Sequence, residues 1–397
     1  MVSDEDNVEL IRRPSAQEIR DAVFSIHADK APGPYGFSAS FFQSNWETVG
    51  PDMIKEVQKF FETGVFPPQT NETNVRLIPK ILNPQVVADY RPIALCNVFY
   101  KTISKLLSRR MQLLLASIIS ETQSTFVPGR AISNNVLITH EVLHFLKTSR
   151  AEKRCSMAVK TDMSKAYDRL EWEFIELVFQ LGFHETWIKM IMQCVSTVTY
   201  SFLINGSPRG RVQPSRGIRQ GDPLSPYICS EVLSGLCNRA SEEGSLKGIR
   251  VARACPRFNH LLFADDTMFF IRANKESTQC LSKILKPYEE ASGQSINTIK
   301  SSISFSRKAP LELREKIKDD LNIQREGGVG KYLGLPEHFG RRKKDLLTSI
   351  VDRIVQKGRS WSNRFLSKAG KLTMIKSVLS PIPSHDMTCF KFTLISV

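Results

Sequence analysis

No pair among the chain's cysteines has Cys-x-x-Cys spacing; the eight stand apart at 96, 155, 194, 229, 237, 255, 280 and 389. That excludes the usual zinc-binding spacings and gives no sign of a disulfide framework, so a reducing, intracellular compartment is expected. Long apolar runs are missing too. The nearest, Met111 to Ile119, falls well short of the ~20 residues a membrane span needs, so no membrane partner is expected. The opening Met1-Val-Ser-Asp-Glu-Asp6 is acidic and has no apolar core of a secretory signal. Internal repeats and low-complexity tracts are absent as well. Acidic side chains are in short supply: 40 Asp and Glu face 55 Lys and Arg, a net charge of +15. Such a balance favours polyanionic partners and binding that weakens as salt rises, without identifying the partner. The basic run Gly340-Arg-Arg-Lys-Lys344 suits backbone phosphates, a nuclear address or a solvated loop. Nucleus and cytoplasm both fit, the nucleus slightly better. With 397 residues, 41% of them hydrophobic, the chain can bury a large core in more than one domain or subdomain.

Where acids do occur, they are placed oddly. Asp265 and Asp266 interrupt the apolar run His260-Leu-Leu-Phe-Ala-Asp-Asp-Thr-Met-Phe-Phe-Ile271. This pattern predicts two strands joined at a tight turn. Adjacent carboxylates at a hairpin tip repel each other, which is accounted for if a hard divalent cation sits over them. Asp and Asn favour turns in any case, so an ordinary turn is the alternative. A third acid, Asp162, falls where the short strand Met157 to Val159 ends. Beyond it Leu170, Phe174, Ile175, Leu177, Val178 and Leu181 recur at helical spacing, so Asp162 is expected to cap or precede a helix. Between the acidic segments lies the Gly/Pro-rich loop Arg216-Gly-Ile-Arg-Gln-Gly-Asp-Pro-Leu-Ser-Pro226. Thr199 to Asn205-Gly206 reads as a strand entering an Asn-Gly turn.

In this order and spacing the segments resemble a reverse transcriptase, specifically that of plant non-LTR (LINE-type) retrotransposons. The strand with Asp162, the Gln220-Gly221 loop and the Phe-Ala-Asp-Asp hairpin are similar to polymerase motifs A, B and C. Ala31-Pro-Gly-Pro-Tyr-Gly-Phe37 resembles the family's N-terminal motif, and Leu77-Ile-Pro-Lys80 and Asp89-Tyr-Arg-Pro-Ile-Ala-Leu95 its fingers motifs. Gly293 to Ser301 resembles motif D and Lys331-Tyr-Leu-Gly-Leu-Pro336 motif E, so the likeness runs from about residue 20 to the end. It implies an α+β right-hand polymerase: N-terminal extension and fingers over 1–154, an antiparallel-sheet palm over 155–336 with helices on one face, and a helical thumb-like region over 337–397. The implied reaction is RNA-directed DNA synthesis from deoxynucleoside triphosphates on an RNA template and DNA primer.

That reaction needs carboxylates because a 3′-hydroxyl must attack an already anionic phosphorus. Two Mg²⁺ ions about 3.5–4 Å apart activate the attacking oxygen and neutralise the leaving pyrophosphate. By resemblance Asp162 and Asp265 bridge both ions, with Asp266 nearby and less directly bound. Tyr167 stands where the family places an aromatic that blocks a ribose 2′-hydroxyl; packing as a helix aromatic in the core is the alternative. Gln220 and Gly221 border the incoming nucleotide, or form a plain turn. Lys80 and Arg91 are candidates for triphosphate contacts, solvated cations being the other reading. Lys300 resembles a lysine that protonates pyrophosphate, with a surface lysine as the alternative.

Three positions depart from the pattern: Tyr35 and Asn134 where Asp is usual, and Cys229 where Phe is common. By the same resemblance the endonuclease, zinc-binding and RNase H segments of complete elements are expected to be absent, as from an excised polymerase module. A degenerate fragment that binds RNA without copying it is therefore the second reading. A third class is raised by His140-Glu141-Val-Leu-His144, which on a helix matches the zinc metallopeptidase pattern. No third ligand follows at the spacing such enzymes use.

Overall fold

The computed structural model describes residues 2–125, 127–219, 227–328, 330–337, 344–359 and 366–390. The chain is a mixed α+β protein with several small sheets. Helices α1 (Asp4–Ile11) and α2 (Ala16–Phe24) each start at a serine, Ser3 and Ser15, whose hydroxyl accepts an otherwise unpaired amide of the first turn. Helix α3 (Ala39–Ser44) leads into α4 (Trp46–Thr63), which stops at Gly64 in the left-handed region. Strands β1 (Glu72–Pro79) and β2 (Tyr90–Cys96) form a ribbon that runs into the long α5 (Val98–Ile118) and α6 (Ile132–Thr148). Then come β3 (Ser156–Asp162), α7 (Trp172–Gln180), α8 (Glu185–Ser196), β4 (Thr199–Ile204) and β5 (Ser207–Val212). The turn between β4 and β5 is Asn205-Gly206 with φ of 51° and 82°, the two positive values a tight hairpin of this kind requires.

Helix α9 (Tyr227–Glu242) precedes the hairpin of β6 (His260–Phe263) and β7 (Asp266–Arg272). The rest comprises α10 (Lys275–Ser292), β8 (Ser302–Phe305), α11 (Leu311–Leu321), the short pair β9 (Lys331–Tyr332) and β10 (Leu335–Pro336), and helices α12 (Lys344–Gly358), α13 (Lys368–Met374) and α14 (Ser384–Cys389). The helical patterns expected near 345–355 and 372–378 fall within α12 and across α13 with the π-helical turn Ile375–Leu379 that follows it.

Two four-stranded sheets organise the molecule. One has the order β2-β1-β4-β5, with β1 and β4 parallel. The other has the order β6-β7-β3-β8 and is antiparallel throughout. In this second sheet side chains alternate between two packed faces. Met157, Val159, Phe269, Ile271 and Ile303 enter the main core with α7 to α10. Ala158, Leu261, Met268 and Phe270 pack instead on Val142, Leu143 and Leu146 of α6 and on Tyr332. Helical cover on one face was expected; α6 and the β9–β10 hairpin cover the second as well. The burial pattern gives the reason: Thr267 to Ile271 is buried at every position, which a sheet with one wet face does not allow.

The helix expected after Asp162 is α7, in which Phe174, Ile175 and Val178 are buried, whereas Leu177 and, just past its end, Leu181 are 60% and 76% exposed. It begins at Trp172, ten residues after Asp162, so of the two expected arrangements Asp162 precedes the helix and does not cap it. A series of turns fills the gap.

Candidate active site

The β3–β7 register decides where the acids meet. Asp162, the last residue of β3, is the cross-strand partner of Asp266, the first of β7. Residues directly opposite in an antiparallel pair project from the same face, so these two carboxylates share one end of the sheet. Asp265 sits beside them in the two-residue turn Ala264-Asp265, since Phe263 pairs with Asp266. Ala264 has φ of 55°, a left-handed conformation unusual for alanine. The turn therefore holds a strained residue immediately before Asp265. The hairpin is backed on its outer edge: the Leu262 N–H donates to the Thr122 carbonyl at 2.8 Å and Ser124 N–H donates to Leu262 at 3.3 Å. Behind it His260 is fully buried, hydrogen-bonded to Thr122 Oγ1 (2.8 Å) and to Ser234 Oγ of α9 (2.7 Å). Burial lowers its pKa to about 4, so it is a neutral structural imidazole.

Asp162 is pinned through its backbone. Its carbonyl accepts the Asn297 N–H at 2.8 Å, and its N–H donates to Ser301 Oγ at 3.3 Å. Ser164 N–H donates to the Ser295 carbonyl at 2.8 Å. The segment after α10 is thus stitched alongside the end of β3, and this brings Lys300 to the acids: its Nζ lies 3.9 Å from Asp162 Oδ1. Tyr167 lies in the turns that follow, half-buried against the core and not in a helix. Its carbonyl accepts the Ile218 N–H at 2.9 Å, Leu170 accepts Gly217 N–H at 2.7 Å, and the Trp172 indole donates to the Gly217 carbonyl at 2.7 Å. Gly217 has φ of 84°, and a Cβ there would stand 2.7 Å from the Asp168 carbonyl oxygen, so only glycine fits this close approach. Arg219, the last described residue before the loop, is buried, with its guanidinium 4.0 Å from the Tyr100 ring centroid. Gln220 and Gly221 lie outside the described residues.

The electrostatics match the crowding. Desolvation is the largest cause of the raised pKa of Asp265; its own backbone amide lowers it, Asp162 adds to the rise and Lys300 opposes it. Asp266 is pushed up to about 6, first by desolvation, with Asp265 and Asp162 adding to the rise and Lys160 and Lys300 opposing it. Lys160, two residues before Asp162 on the same face of β3, went unnoticed in the sequence because a lysine in a strand reads as a solvent-facing position. Among the described residues no three His, Cys, Asp or Glu side chains are close enough to form a ready metal cage. The donor set nevertheless fits Mg²⁺: hard carboxylate oxygens, at one sheet end, that repel each other.

The family profile described as reverse transcriptase (RNA-dependent DNA polymerase) matches residues 78–336, a span that holds all three acids. The chain belongs to the reverse transcriptase family. It is 27% identical over 331 residues to the transposon TX1 uncharacterized 149 kDa protein of Xenopus laevis, covering 80% of this chain and 24% of that protein. To the retrovirus-related Pol polyprotein from the type-2 retrotransposable element R2DM of Drosophila melanogaster it is 25% identical over 271 residues, covering 68% and 24%. A shorter stretch of 69 residues, 17% of this chain, is 70% identical to an uncharacterized mitochondrial protein of Arabidopsis thaliana and covers 57% of it. The chain thus spans about a quarter of the length of the two retroelement relatives.

The remaining candidates of this reverse transcriptase family chain are on other elements. Lys80 and Arg91 are exposed on the β1–β2 ribbon, in the other sheet. Lys80 N–H donates to Asp89 at 2.7 Å and its Nζ to the Ala88 carbonyl at 2.9 Å. Because Ile78 pairs with Arg91, and Lys80 follows Ile78 by two, both cations project from one face of the ribbon. Tyr35 N–H donates to Asn97 Oδ1 at 3.1 Å, at the start of α5, and a Cβ at the neighbouring Gly33 would stand 2.4 Å from the Asn97 nitrogen. Asn134 is exposed in the first turn of α6, and the side chain of Cys229 lies outside the described residues. The trio His140, Glu141 and His144 is on α6 inside the matched span, with the His140 ring edge-on to Phe390 at 5.6 Å. The metallopeptidase reading has no support from this setting. Among the described residues no helix is long and apolar enough to cross a membrane.

Proposed function

We propose that the chain is the RNA-directed DNA polymerase domain of a plant non-LTR (LINE-type) retroelement, extending a DNA primer on an RNA template. The observation that carries this is the pairing of Asp162 with Asp266 across β3 and β7, with Asp265 in the adjoining turn. In this reading residues 1–154 are the N-terminal extension and fingers, 155–336 the palm, and 337–397 the thumb-like region. Asp162 and Asp265 would hold two Mg²⁺ ions, with Asp266 beside them, and the ions would supply charge stabilisation at the primer hydroxyl and the departing pyrophosphate. The backbone bonds to Asn297 and Ser301 keep Asp162 in place, so little reorganisation accompanies binding. Lys300, within reach of the same site, protonates the leaving pyrophosphate. Tyr167 lines the sugar of the incoming nucleotide, next to the segment that leads into Gln220 and Gly221. Lys80 and Arg91, on one face of the ribbon, contact its triphosphate.

Primer extension on a homopolymer RNA template with Mg²⁺, run beside Asp265→Ala, tests the assignment. Metal-dependent extension that the substitution abolishes is expected. If wild type extends nothing yet binds RNA, the degenerate-fragment reading replaces it.

A further inference from the structure

The β9–β10 hairpin is joined to the acid-bearing strand by one side chain. Lys160 and Asp162 stand two apart on β3 and so share a face. The Lys160 ammonium donates to the Lys331 carbonyl, lies 3.8 Å from Glu337 Oε1 and stands 5.9 Å from the Tyr332 ring centroid. Glu337 is built in from its other side: Oε2 accepts the Gly328 N–H at 2.7 Å, and its own N–H donates to the Gly330 carbonyl at 2.9 Å. A Cβ at Gly330 would fall 2.7 Å from Glu337 Oε1. The pair is nearly dry, with side chains 15% and 3% exposed. A buried ion pair is a poor source of net stability, because desolvation offsets the attraction, and an apolar pair often serves as well. Its geometry is what a charge pair supplies here: a fixed distance between β3 and the hairpin.

The hairpin also rests on the strand of Asp266, with Tyr332 packed on Met268 and Phe270. The hairpin therefore lies beside Asp162 and Asp266, on the face of the sheet that Lys160 shares with them. We propose that Lys160 is a positioning residue: through Glu337 and Lys331 it sets the height of the hairpin, and thereby where the primer end sits against the acids. This rests on the polymerase reading.

The test uses the full chain with Lys160→Met, Lys160→Arg, Glu337→Gln and the Met/Gln double variant. Single-turnover extension, corrected for the active fraction, should fall about tenfold in Lys160→Met and in Glu337→Gln, with the double variant no slower than the slower single. Primer–template affinity should stay near wild type, and Lys160→Arg should recover most of the rate. Independently of activity, amide exchange over 330–337 should quicken in Lys160→Met while β6 and β7 stay protected. Unchanged exchange in the hairpin, or rate losses that multiply in the double variant, overturns the proposal. A purely structural role would lower the active fraction and leave the corrected rate alone. Wild-type protein no more active than Asp265→Ala would sink the polymerase reading instead, and the exchange result would still decide whether Lys160 holds the hairpin.

Discussion

Three carboxylates at one sheet end are a liability until something positive joins them. Asp266 shows the cost most clearly: burial first, and the neighbouring acids after it, raise its pKa from 3.8 to about 6. The sign follows from linkage. The folded state holds the proton more tightly than the unfolded, so stability is greatest below about pH 4 and falls as pH rises to about 6. Two pKa units correspond to about 3 kcal/mol, less whatever solvent screens. Asp266→Asn should therefore raise the melting temperature of metal-free protein at pH 7, with the gain shrinking between pH 6 and 4 and vanishing below. Mg²⁺ should recover part of the same stability in wild type by binding only the folded site. Thermal melts across that range decide it: a lower melting temperature for Asp266→Asn at pH 7 is incompatible with a carboxylate held at a cost by burial and by its acidic neighbours. The trade is familiar from sites kept strained for function. Ala264 adds to it, with its positive φ just before Asp265.

At the scale of elements, what the sequence discloses is local. The alternation around Asp265 reads as a hairpin, and the Asn205-Gly206 turn is recognisable because residue type and required φ agree. What it hides is what touches from far away. Nothing in Gly293 to Ser301 announces that its backbone will pin Asp162, more than a hundred residues earlier, because amide-to-carbonyl bonds carry no side-chain signature. Lys160 hides for a related reason: its partners Lys331 and Glu337 lie about 170 residues on. The second cover of the acid-bearing sheet is not legible because the helical stripe of α6 does not say which surface it meets. Gly217 tests whether such stitching matters. Gly217→Ala puts a Cβ 2.7 Å from the Asp168 carbonyl at φ of 84°, so the loop must shift away from Tyr167. A loss of about 1–3 kcal/mol is expected in urea melts. Extension should fall further than that loss of stability explains. A variant as stable and as active as wild type would show that the stitch to Tyr167 and Leu170 is dispensable.

For the whole molecule, the excess of 15 positive charges is a statement about association. Part of it is organised. Arg76 and Arg91 stand exposed on the same face of the β1–β2 ribbon, since Arg76 pairs with Ile93 and Ile78 with Arg91, and Arg211 reaches Glu72 from β5 across that sheet. The acids lie in the other sheet, so affinity and chemistry should separate. If this face neutralises phosphates, the affinity for single-stranded RNA should fall steeply with salt, with a log–log slope of about −0.7 per phosphate contacted. Replacing Arg76, which has no part in the triphosphate assignment, should reduce that slope by about 0.7 and weaken binding alike for all sequences. Asp265→Ala should leave the affinity near wild type, because carboxylates oppose the approach of phosphate. Filter binding or fluorescence titration over a range of salt concentrations measures all three. A slope indifferent to the Arg76 substitution would move the nucleic-acid surface off this sheet, and a flat salt dependence would remove the electrostatic account altogether.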